Sequence, residues 1–242
     1  MILSHLILGL LTIFNLLSGP ETASSNDSRI SYQSPPEKAD NQPDTVLFLG
    51  DQKLKLPSAP NFVNCYKRDW FQTIGNHLEP PKSRLLAFYL ERQHCSSNLN
   101  LTINRPDRYL KVSVRKELEN FDLKKEQWEG LKEEGLKDAT DNLDWNLVKK
   151  NLKDRYGSEI LKKGSLLAKY EIGDFAFASV FAVQYEDVNE KFITLKTDCF
   201  IYVNNRLIQI VFFWEYKDDA DSLQQQKNYL VKYVKKLKEV NT

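Results

Sequence analysis

Residues 174–186 read DFAFASVFAVQYE, and this stretch decides the fold. Phe175, Phe177, Phe181 and Val183 alternate with Ala176, Ala178, Val180 and Ala182. On a strand, a period of two sends successive side chains to opposite faces. One face is therefore bulky and the other mostly small. Both are apolar, so the strand is expected to be covered on both sides. The small face suits a closely packed helix.

Strand patterns surround it. Ser165 to Tyr170, Lys191 to Val203 and Arg206 to Tyr216 complete an antiparallel meander. Asn204-Asn205 joins the last two strands, because Asn tolerates the positive φ that a type I′ turn requires. Asp221 to Val240 then closes the chain as a helix, with Leu223, Lys227, Leu230, Val231, Val234 and Leu237 along one stripe. Asp218, Asp219 and Asp221 sit at its start and Lys232, Lys235, Lys236 and Lys238 at its end. Both clusters oppose the helix macrodipole favourably, which accounts for the basic tail without a partner.

Working towards the N-terminus, Leu123 to Tyr156 is charge-rich, with Leu123, Trp128, Leu131, Leu143, Leu147 and Leu152 at helical spacing. It reads as one long helix or two short ones, since Gly130 and Gly135 weaken an unbroken helix. Tyr109 to Leu118 alternates, with Leu110, Val112 and Val114 facing away from Tyr109, Lys111, Ser113 and Arg115. Arg84 to Arg92 carries an apolar run whose length favours a buried strand, with a short helix the alternative that period alone leaves open, after a Pro-bounded stretch through Pro57, Pro60 and Pro80-Pro81. Thr45 to Leu49 and Gln52 to Leu56 flank Gly50-Asp51, a hairpin with Gly placed for a type II′ turn. The fold class is α+β, an antiparallel sheet with covering helices.

This order of hairpin, two strands, helix, meander and helix resembles the Mog1/PsbP/DcrB-like superfamily. The likeness runs from about Thr45 to Thr242 and ends on Arg206-Leu207-Ile208 through Val234-Lys235-Lys236-Leu237. It implies a Mog1/PsbP-like α/β/α sandwich, and it implies binding or assembly rather than catalysis. No superfamily motif is present to carry over residue by residue. Leu78 to Ala87 also resembles a segment of uncharacterised exported proteins of Gram-negative bacteria.

The opening run Met1 to Leu17 is apolar and closes on Ser18-Gly19-Pro20. It is shorter than the roughly 20 residues that span a bilayer, so residues 1–19 read as a signal peptide or N-terminal anchor. Residues 20–44 are rich in Ser, Asn, Asp, Pro and Gln and read as a disordered polar linker. Residues 45–242 then make a single α+β domain. The expected address is periplasmic or secreted.

In an oxidising compartment Cys65, Cys95 and Cys199 leave two readings. One is a Cys65–Cys95 disulfide with Cys199 free, which we take because the first two lie in loop-like contexts. The other is three unpaired thiols.

The chain carries 34 basic and 33 acidic residues, a net charge of +1, so no broad field argues for nucleic acid or anionic lipid. Membrane contact is expected only through an uncleaved N-terminal segment. No Gly-x-Ser-x-Gly elbow, phosphate-cradling glycine loop or zinc-protease motif occurs. His94 and Cys95 adjoin, but neighbours on an extended chain point apart, which argues against a thiol–imidazole pair. His77 and His94 are the histidines left after signal removal, too few for a His-rich metal site. Asp138, Asp141 and Asp144 read as a solvated acidic patch. We therefore expect no catalytic residues, no metal and no cofactor.

The loop Cys65 to Phe71 mixes aromatic and charged residues, and Tyr66, Lys67, Arg68, Trp70 and Phe71 are the candidate partner-binding group. The reading is a periplasmic non-enzymatic protein that engages a protein partner, either as an immunity protein or as an envelope factor. The alternative is an exported hydrolase with a dispersed carboxylate site.

Overall fold

A computed structural model describes residues 45–66, 68, 71, 80–95, 106–137, 164–186, 191–216 and 220–242. The expected signal or anchor, the linker, Lys67, Trp70, the Asp138/Asp141/Asp144 patch and the helical pattern beyond residue 137 lie outside them. The elements are β1 (Thr45–Leu49), β2 (Gln52–Leu56), β3 (Phe62–Asn64), β4 (Ser83–Glu91), β5 (Arg108–Arg115), α1 (Lys125–Leu136), β6 (Ser165–Glu171), β7 (Ala176–Glu186), β8 (Lys191–Val203), β9 (Arg206–Glu215) and α2 (Ala220–Glu239). Among the described residues β1 and β2 form a two-stranded sheet of their own. The other seven strands form an antiparallel sheet in the order β3-β4-β5-β9-β8-β7-β6.

The two hairpin turns follow their residues. Gly50 has φ +60° and Asp51 is not in the left-handed region, as a type II′ turn requires. Asn204 and Asn205 have φ 49° and 58°, the paired positive values of type I′.

The two faces of the sheet have different covers. On one, which we call the helix face, Ala176, Ala178, Val180 and Ala182 of β7 lie in one buried cluster with Leu223, Leu230, Val234 and Leu237 of α2 and with Leu49, Leu54 and Leu56 of the hairpin. The residues expected on the small face thus meet the helix. Gln226 also falls on the buried side of α2, where its Nε2 donates to the Leu195 carbonyl at 3.1 Å, satisfying a polar group that the apolar stripe does not announce.

Among the described residues the opposite face carries two separate clusters. One joins Leu118, Leu123, Trp128 and Leu207 to Phe177 of β7. The other joins Val63, Cys65, Phe71, Leu85, Phe88, Leu90 and Cys95. Gly135 is explained here: a Cβ at that position would lie 2.4 Å from the Phe177 ring, so glycine lets α1 seat against β7. Gly130, with nothing within 4 Å, has no such role.

Several boundaries shift from the pattern reading. β5 ends at Arg115, and Lys116–Leu118 forms a 3-10 turn that drops Leu118 into the Trp128 cluster. β7 starts at Ala176, because Gly173 at φ +62° turns the chain just before it. The Pro-bounded stretch hides β3, whose three residues pair with Tyr89–Glu91 of β4. Three residues are too few to display a period.

Candidate binding surface

The Cys65–Cys95 disulfide is present, with S–S 2.04 Å and Cα–Cα 5.8 Å. It joins the end of β3 to the turn that follows β4. Asn64 latches the same place, its Oδ1 accepting from the backbone N–H of Tyr66 at 3.2 Å and of Phe88 at 3.3 Å. The Cys65 N–H donates to the Phe88 carbonyl at 2.8 Å, the Arg68 N–H to Cys65 at 3.0 Å, and the Phe71 N–H to Arg68 at 2.9 Å. Asparagine suits this bend because its side chain supplies turn hydrogen bonds that the backbone lacks.

The candidate partner-binding residues divide. Arg68 is exposed and Tyr66 half-buried. Phe71 is a correction: it is fully buried, its ring 4.5 Å from that of Phe88. The reason is the disulfide, which draws the loop down onto β4 so that the phenyl group fills the space beside the sulfurs. The ring series continues over three strands, Phe88 to Tyr109 at 5.4 Å and Tyr109 to Phe213 at 4.3 Å. Beyond it the opposite face turns polar. Lys196 pairs with buried Asp198 at 3.0 Å, and Gln209 donates to the same carboxylate at 3.3 Å.

Nucleophilic chemistry can be tested residue by residue. Cys95 is tied up in the disulfide, so His94 beside it has no thiolate to activate. Cys199 is buried, and burial pushes its thiol pKa up, which removes thiolate at neutral pH. Ser179 pairs across strands with Asp198, but it is fully buried. Among the described residues no group of three or more His, Cys, Asp or Glu could hold a metal ion. No described helix is long and apolar enough to cross a membrane.

One surface escaped the sequence reading. On β1, Val46 and Phe48 point away from the core and are 49% and 61% exposed. Their cross-strand partners are Lys55 and Lys53. The available signal was the pairing of two apolar residues with two lysines on the face opposite Leu54 and Leu56.

No family model matches the chain, and no curated protein sequence does. Solved structures similar to it include a point mutant of the protein Mog1, at 10% identity and TM-score 0.33, with 81% of this chain and 93% of that chain covered. They also include the Saccharomyces cerevisiae Ran-binding protein Mog1p, at 10% identity and TM-score 0.33, with 80% and 92% covered. The α+β architecture itself rests on the strand order and the two covered faces described above.

Proposed function

We propose that this is an exported, non-enzymatic binding protein that engages a protein partner through the loop at Tyr66 and Arg68. The carrying observation is the double clamp on that loop, covalent through Cys65–Cys95 and hydrogen-bonded through Asn64, which holds Arg68 outward while burying Phe71. A loop fixed before binding gives up little entropy on binding, and a rigid scaffold carrying such a loop is a common recognition design. The apolar run Met1 to Leu17 supports export, and a disulfide accords with an oxidising compartment. An immunity protein or an envelope factor would both use such a surface.

Photo-crosslinking tests the reading. A benzoylphenylalanine in place of Arg68, in a C-terminally tagged full chain, should give one discrete adduct in the envelope fraction. The adduct should weaken at least tenfold when Cys65 and Cys95 are both serine. A chain found only in the cytoplasm would refute export, and absence of any adduct at position 68 would refute the loop.

A further inference from the structure

We infer that the outer surface of the layer formed by the β1–β2 hairpin and α2 docks on an anionic lipid bilayer. This goes beyond the protein-partner reading and concerns a different surface. Hairpin and helix bury their apolar sides in the same cluster on the same face of the sheet, so their other sides point outward together. They are also joined: Asn241, just past α2, accepts from the Lys55 N–H at 2.8 Å and donates to the Lys55 carbonyl at 2.7 Å, bonding β2 as a further strand would. Asn204 donates to the Lys53 carbonyl at 3.0 Å, fixing the other end of the strand.

The charge on this layer is one-sided. From Ser222 to Lys238 the chain has five lysines and no acidic residue. Lys232, Lys235 and Lys236 are exposed, as are Lys53 and Lys55. Against them stand Asp221 in the first turn of α2, Glu239 and Asp51, and Asp51 is held by Arg206 at 2.7 Å. The net charge of +1 therefore conceals a local basic surface. Helix-end electrostatics explain why lysines suit the last turn of α2, but the lysines of β2 lie on a strand and need another reason.

Exposed Phe48 and Val46 supply that reason. Apolar side chains paired across the hairpin with lysines match the boundary between acyl chains and anionic headgroups, where the apolar groups enter and the ammonium groups stay with phosphate. The position in the chain agrees. Only residues 18–44 separate Thr45 from the apolar run Met1–Leu17, so a run lodged in a bilayer leaves the hairpin near that bilayer in sequence.

The test uses the full chain with Phe48→Cys carrying an environment-sensitive fluorophore. The label is specific, since Cys65 and Cys95 are bridged and Cys199 is buried. Vesicles with about a third phosphatidylglycerol in phosphatidylcholine should raise and blue-shift the emission, whereas phosphatidylcholine alone should not. Lys235→Glu with Lys236→Glu should weaken the response at least tenfold, with an unchanged melting temperature showing that the variant is folded. Chain that floats with vesicles while the probe stays in water is held by its N-terminal run alone, and this overturns the inference. So does an equal response to both vesicles, or a blue shift that grows with protein concentration in the absence of lipid, which would mark a second copy as the occupant.

Discussion

Under α2 the sheet meets a 20-residue helix along one continuous buried cluster, whereas among the described residues its opposite face is covered in two patches, one by the 12-residue α1 and one by a disulfide-clamped loop. The same strands build both. On the helix face, alanines on β7 admit a long regular element, and burial of aliphatic area supplies the adhesion. On the opposite face the described covers are short, and large rings and a covalent link take over. Trp128 stacks on Phe177 and Tyr202 at 5.7 Å each and donates its indole N–H to the Asp174 carbonyl at 2.8 Å. A cover that is too short to bury much area by length does so by ring size, or is tied down by cross-linking.

The largest effects come from breaking either cover at its anchor. Trp128→Ala should cost about 3–5 kcal/mol and Leu230→Ala about 2–5 kcal/mol, through lost burial plus the cavity left behind. Urea unfolding measures both. If each face depends on its own cover, the double variant should be additive, and a strong coupling would mean that the two faces unload through the sheet.

Next is the clamp. The bridge spans a sequence separation of 30 residues. Replacing both cysteines by serine should lower stability by roughly 2–4 kcal/mol, chiefly by freeing the unfolded chain. Reduction followed by melting checks this. An unchanged melting temperature would show that Phe71 and Asn64 hold the loop unaided.

The smallest effect separates the faces by pH. Tyr170 and Cys199 both belong to the helix-face cluster, and burial pushes the pKa of each above its ordinary value of 10.0 and 9.0. Above those values the unfolded chain releases protons that the folded chain keeps. Their contribution is therefore intact below about pH 9 and is lost as pH rises, by about 1.4 kcal/mol per pH unit for each group. Cys199→Ala and Tyr170→Phe should each flatten the alkaline limb of a stability profile. The Tyr170 hydroxyl has no hydrogen-bond partner among the described residues, so Tyr170→Phe should cost little at neutral pH.

What the residues determine on their own is local. Alternation names the two faces of β7 from Ala176 onward, although Phe175, placed by period with Phe177, precedes the strand and packs on the helix face. Gly50 and Asn204-Asn205 name their turns, and the stripe from Leu223 to Leu237 names the buried side of α2. Each depends on a period or a backbone preference readable within a few positions. Tertiary structure alone decides that β5 pairs with β9, which unites the early strands with the meander across nearly half the chain. It decides that Phe71 is buried, that Gly135 yields to Phe177, and that Asn241 beyond α2 bonds the backbone of Lys55 in β2. Local patterning states which side chains lie together on one element. Which elements then meet is set by the sum of burial, pairing and loop closure over the whole chain, and no window of residues contains that sum.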